Sequence, residues 1–185
     1  MLYRRSGFPE VDEILLCKVT KIFPSSVFVE LIEYPGRGAI VHISEVSPGR
    51  IRNLRDYVSV GRQIVCKVLR IDREKGHIDL SLRRVNSVQR REKTDEIKQE
   101  LKAESLVRNI AKKISQPVDK VYRELSTPIF KEYSHLHLCF WDVAGGDVDL
   151  KKLGVPNNLA KEFTDAVVEK FKPAKITIEG EITLQ

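Results

Sequence analysis

A chain of 185 residues with 32 Lys and Arg against 26 Asp and Glu has a formal charge of +6 and a pI near 9.2, which favours an anionic partner. The length calls for two folded units, or one and a half, and no apolar run approaches the roughly 18 residues of a membrane span or follows residues 1–5 as a signal segment would. Cys17, Cys66 and Cys139 lie far apart without CxxC spacing, so neither a zinc cluster nor a disulfide framework is indicated, and a reducing, cytoplasmic setting fits best.

Residues 1–85 hold 15 basic and 10 acidic side chains, and with them most of the excess charge. Five segments there are rich in β-branched or aromatic residues: 14–22, 27–34, 38–43, 63–72 and 77–85. Turn chemistry separates them. Pro35-Gly36-Arg37-Gly38 reads as a hairpin loop, because glycine accepts positive φ. Alternation in the fifth segment points Ile78, Leu80 and Leu82 inward and Asp79, Ser81 and Arg83 outward. About twenty residues separate the third and fourth segments, enough for a short helical turn. Five short strands with one long connection after the third is the strand economy of an all-β OB-type barrel.

Beyond Arg84 the period changes from two to helical spacing, which sets a boundary near Val85 and a helical domain over 86–173. Asn86 with Gln89 reads as a capping box. Ile97, Leu101, Leu106, Ile110 and Ile114 make an apolar stripe. Ser115-Gln116-Pro117 and Ser126-Thr127-Pro128 each suggest a polar cap followed by Pro at a helix start. Gly145-Gly146 closes a third helical segment, and Leu159, Phe163, Val167 and Phe171 mark another, so about five helices are expected. His135 and His137, two apart, diverge on a helix and cannot share one metal. Phe140 and Trp141 read as core. Residues 174–185 read as a strand, which is not stable alone.

Val41-His42-Ile43-Ser44-Glu45, with Ile71-Asp72 and Leu80-Ser81-Leu82-Arg83, resembles the signature segments of the S1 family of RNA-binding barrels. The resemblance implies single-stranded RNA held by an aromatic pair on the second strand, a histidine on the third, and polar groups near the fourth and fifth. Phe28, His42 and Asp72 match these positions, and His77 stands where bacterial members often carry Arg. Pro24-Ser25-Ser26 occupies the place of the first aromatic. Stacking is worth about 1–3 kcal/mol per base, so a barrel lacking one platform should hold free RNA loosely. Phe28 as core and His42 as a structural hydrogen-bonding group remain the competing readings.

The connection Ser44-Glu45-Val46-Ser47-Pro48-Gly49-Arg50-Ile51-Arg52, with Phe8-Pro9-Glu10-Val11, Leu31-Ile32-Glu33-Tyr34 and Lys75-Gly76-His77-Ile78-Asp79-Leu80-Ser81, is similar to the alpha-subunit family of translation initiation factor two. Eukaryotic members read Ser-Glu-Leu-Ser-Arg-Arg-Arg-Ile-Arg-Ser in the loop; Pro-Gly in place of two arginines looks archaeal. The resemblance implies a barrel, a helical second domain packed against it, and a third, α/β domain begun by 174–185 that docks on the gamma subunit, the chain ending just inside it. It implies a non-enzymatic subunit supporting GTP-dependent delivery of initiator methionyl-tRNA to the small ribosomal subunit. The beta subunit would be reached only through gamma, GTP and Mg²⁺ would sit on gamma, and no cofactor or membrane would be involved. Arg50 and Arg52 would lie near messenger RNA, with Arg55 and Arg62 extending the patch; the alternative is a plain solvated loop. Ser47 matches the regulatory phosphorylation site, although its local sequence is changed, and Lys75, Gly76, His77, Ile78 and Asp79 match the kinase-docking segment. No Walker motif, carboxylate dyad or metal cluster appears. A competing assignment is an S1 accessory subunit of an RNA-processing complex. A kinase decoy would need only residues 1–85.

Overall fold

The computed structural model describes residues 2–5 and 7–171; the strand expected over 174–185 lies outside the described residues. Strands β1 (Ile14–Ile22), β2 (Ser26–Leu31), β3 (Gly38–His42), β4 (Gln63–Asp72) and β5 (His77–Ser81) close a barrel in the order β1-β2-β3-β5-β4. All pairs are antiparallel except β3 with β5. Closure leaves no free sheet edge to pair with another chain. The interior is filled by alternate residues of each strand, among them Leu15, Cys17, Val19, Val27, Val29, Val41, Val68, Ile78 and Leu80, all essentially inaccessible. Each such side chain contributes roughly 1.5–3 kcal/mol on burial. The three cysteines are free and buried.

The long connection from β3 to β4 forms two short 3-10 turns, Ile43–Glu45 and Leu54–Asp56, and Val46, Leu54 and Val58 pack into the barrel core. Asn53 caps the second turn, its Oδ1 accepting from the Arg55 N–H at 3.0 Å.

β5 ends earlier than the alternation indicates, and Ser81, expected to face solvent, is fully buried. The cause is Glu45. Its carbonyl accepts the N–H groups of Leu82 and Arg83 at 2.9 Å each, and its carboxylate accepts from the Ser81 hydroxyl at 2.8 Å. Arg84 and Arg83 close on the same carboxylate at 3.0 and 3.3 Å. Hydrogen bonds from Arg84, opposed by partial burial and helped by Ser81 and Arg83, hold the Glu45 carboxyl below the usual range. The two signature segments of the sequence thus meet and lock each other.

Leu15, Leu16 and Cys17 on β1 and Ile64, Val65 and Cys66 on β4 are buried in unbroken runs, where alternation alone would expose every second residue. A helix covers the outer face there. α1 (Ser87–Lys113) packs Ile97 into a small cluster with Leu16, Val65 and Val85. Lys93 adds an ion pair, its Nζ lying 3.2 and 2.9 Å from the two oxygens of the buried Glu33 and 2.8 Å from Glu96. The change from strand to helix falls between Ser81 and Ser87, whereas the first compact unit continues to Ile97 through this packing.

The second unit begins at Lys98 and contains α2 (Val118–Ile129), α3 (Leu136–Ala144), α4 (Leu150–Leu153) and α5 (Asn157–Lys170). α1 starts on a reciprocal capping box: the Gln89 N–H donates to Asn86 Oδ1 at 2.8 Å, and the Asn86 N–H to Gln89 Oε1 at 3.1 Å. The buried face of α1 in this unit is Ala103, Leu106, Val107, Ile110 and Ala111, while Leu101 points to solvent. Pro117 precedes α2 as expected, but Pro128 sits inside its last turn rather than starting a helix. Phe140, Phe163 and Phe171 fill the core; Trp141, expected there, is 39 % exposed and meets Phe171 edge-on. Among the described residues no helix is long and apolar enough to cross a membrane.

His135 and His137 do not diverge: their ring centroids are 5.4 Å apart. His135 precedes α3 with extended backbone, so helical spacing does not govern the pair. His137 is structural, its Nδ1 2.9 Å from the buried Glu100, whose carboxylate also accepts the N–H groups of Leu136 and His137 at the start of α3.

Candidate nucleic-acid interface

Strand pleating sorts the barrel residues into two sets. On β2, Val27, Val29 and Leu31 face inward while Phe28 and Glu30 face out. On β3, Ala39 and Val41 are inside, and Gly38, Ile40 and His42 outside. Pairing registers align Lys21 with Phe28, Phe28 with Ile40, Ile40 with Asp79, and Asp79 with Arg70. One row across all five strands therefore presents a cation, an aromatic ring, an aliphatic chain, a carboxylate and a guanidinium.

A groove of about 880 Å³ runs over this row, lined by Phe28, Ile40, Arg70, Asp72, His77 and Asp79 together with Thr20, Glu30 and the Gly36–Gly38 loop. Of the residues singled out in the sequence, Phe28, Asp72, Gly76, His77, Ile78 and Asp79 come together here. Phe28 is 41 % exposed, with Val27 and Val29 taking the core positions on either side. Arg70 binds Asp79 through Nε and Nη2, each at 3.1 Å from Oδ2. Asp72 also serves the β4–β5 turn, its Oδ1 accepting the Lys75 N–H at 3.2 Å. That turn needs φ +71° at Gly76, a conformation open to glycine. Ile78 is buried in the barrel core, so the docking-like segment presents only Lys75, Gly76, His77 and part of Asp79. At the groove's loop side, Arg37 lies 3.8 Å above the Phe8 ring and donates from Nε to the Gly7 carbonyl. The charged lining comprises Arg37 and Arg70 against Glu30, Asp72 and Asp79.

His42 stands outside this lining. Its Nδ1 lies 3.0 Å from the Ser44 hydroxyl and accepts the Ser44 N–H at 3.3 Å, which caps the first 3-10 turn. Arg50, Arg52, Arg55 and Arg62 are all exposed and also lie outside the groove lining. Ser47 is half-buried, its hydroxyl donating to the Pro48 carbonyl at 3.3 Å, and Gly49 takes φ +91°. These four arginines and the aromatic groove are thus separate features of the barrel.

The sequence reading left Phe28 without an aromatic neighbour, but Phe23 lies beside it. The β1–β2 register shifts between Val19 and Lys21, so Thr20 and Lys21 are both exposed. This bulge reverses the parity of the strand end. Phe23 consequently faces outward, 42 % exposed, with its ring centroid 4.8 Å from that of Phe28 at 63°. A phenylalanine beside Pro24 was visible in the sequence; the bulge that turns it outward was not.

Comparison with known proteins agrees with this geometry. The family model for the S1 RNA binding domain matches residues 9–83. Translation initiation factor 2 subunit alpha of Thermococcus gammatolerans is 40 % identical over 180 residues, covering 96 % of this chain and 66 % of the relative. The Pyrococcus abyssi subunit is 40 % identical over 184 residues, again across 66 % of its length, and that of Archaeoglobus fulgidus is 34 % identical over 186 residues and 69 % of its length. The chain thus spans slightly less than two thirds of the first two relatives. Among solved structures, the a/eIF2alpha-aDim2p-rRNA complex from Pyrococcus horikoshii matches with TM-score 0.80 and 39 % identity, over 88 % of this chain and 97 % of the matched one. The intact alpha subunit of aIF2 from Pyrococcus abyssi matches with TM-score 0.80 and 39 % identity, over 86 % of this chain and 61 % of that one.

Proposed function

The chain belongs to the family of archaeal translation initiation factor 2 alpha subunits, and from that premise we propose that it is a non-catalytic subunit supporting GTP-dependent delivery of initiator methionyl-tRNA to the small ribosomal subunit. It works in the cytoplasm, contacts RNA through its barrel, and joins the factor through the gamma subunit, which holds GTP and Mg²⁺; the beta subunit is reached only through gamma. The observation that carries this reading is the extent of the likeness: it runs through barrel and helical unit alike, over 96 % of the chain. An S1 accessory subunit of an RNA-processing complex would account for the barrel and leave the helical likeness unexplained. An RNA-containing assembly of a relative, with aDim2p and rRNA, supports RNA contact for this chain as well.

Within the barrel, the exposed Phe28 beside Asp72 and His77 suits unpaired bases, which can stack on a ring face and bond polar groups at their edges. Reconstitution of the subunit as the cell makes it, with gamma and methionylated initiator tRNA, tests the main reading. Its addition should tighten tRNA binding. A tRNA affinity unchanged by its presence overturns the proposal.

A further inference from the structure

Two large apolar rings stand half in water on one side of the barrel, Phe23 at 42 % and Phe28 at 41 % exposed. The β1 bulge directs Phe23 away from the core and onto the same side as Phe28. The two rings meet edge to face at 63°, an arrangement that stabilises the pair and leaves ring faces open. The register also sets Lys21 opposite Phe28 on the neighbouring strand, so an exposed cation lies beside the platform. Family resemblance assigned the first stacking position to the stretch Pro24-Ser25-Ser26, which has no ring.

We infer that Phe23 is a second base-stacking residue, extending the Phe28 platform by one unpaired nucleotide toward the β1–β2 turn, with Lys21 at the accompanying phosphate. This inference rests on the proposed contact of the barrel with RNA. The hold on RNA then comes from two rings rather than one, so the barrel binds free strands more tightly than Phe28 alone would allow.

The test is binding of a short oligouridylate, and of an abasic strand of equal length, to the 185-residue chain and to its Phe23→Ala, Phe23→Leu and Phe28→Ala variants. Phe23→Ala should weaken oligouridylate binding about 5- to 150-fold, and Phe23→Leu, which keeps apolar bulk without a π-face, nearly as much. Neither should alter binding of the abasic strand, a distinction that a merely structural role would not produce. If Phe28→Ala weakens binding while both Phe23 variants bind as the parent does, the second stacking position is wrong and the RNA reading stands. Equal losses on the two strands would likewise overturn the stacking role. Failure of the parent chain to bind either strand would remove the RNA reading itself.

Discussion

Glu45 shows how one side chain of a signature motif can hold two parts of the barrel together. Its carboxylate receives Ser81 from the end of β5 and both Arg83 and Arg84 beyond it. Because Ser81 is fully buried, Glu45→Ala leaves its hydroxyl without that acceptor and should cost about 1–3 kcal/mol in chemical denaturation. The carboxyl is held below its ordinary range in the folded protein, chiefly by Arg84. A depressed folded value means the unfolded chain takes up the proton first. The stabilisation is therefore complete above the unfolded value of about 4.3 and is lost as pH falls through the lower, folded one. Glu45→Gln should flatten that acid limb while leaving the slope between about pH 6 and 8 unchanged. A parent and variant with parallel acid limbs would show that other carboxylates govern it.

At the scale of elements, the first turns of α1 belong with the barrel because they carry apolar and charged contacts together. Lys93 sits against the inaccessible Glu33 and beside Glu96. Burial lowers the Lys93 pKa, yet the attraction of Glu33 and Glu96 more than offsets this and the net shift is upward. Its contribution is thus present below the ordinary lysine value and lost only as pH rises through the higher folded one. Lys93→Met should cost about 3–5 kcal/mol by leaving Glu33 charged and uncompensated, and adding Glu33→Leu should recover most of the loss. Additive losses in urea denaturation would mean that the two side chains act independently. Such contacts also mark where sequence reasoning stops. Strand positions and the Asn86–Gln89 cap were legible because alternation and capping are local. The double-sided burial of Leu16 and Val65 was not, since it depends on a helix, α1, that begins only at Ser87, beyond β5. In the groove, Phe28, Asp72 and His77 were singled out through the family resemblance and do come together, whereas the outward turn of Phe23 depended on a bulge that no residue type announces.

For the molecule as a whole, the four arginines Arg50, Arg52, Arg55 and Arg62 lie outside the groove that carries Phe28, and the salt dependence of the two features should differ accordingly. The groove is lined by more carboxylates than guanidinium groups, so little of its affinity can come from releasing counterions. Arg50, Arg52, Arg55 and Arg62 are exposed outside it, and Gly49 lets the loop turn with positive φ just before the first of them. Each phosphate neutralised on a single strand adds about 0.7 to the slope of log K against log salt. Replacing Arg50 and Arg52 together by Ala should therefore reduce that slope by up to about 1.4. Since both side chains lie outside the core, stability should move by less than about 0.5 kcal/mol. Phe28→Ala should do the opposite, lowering affinity at every salt concentration with the slope preserved, because a stacked ring displaces no ion. An arginine double variant with the parent slope would leave the loop without a phosphate role, and a slope lost with Phe28 would place the phosphates in the groove instead.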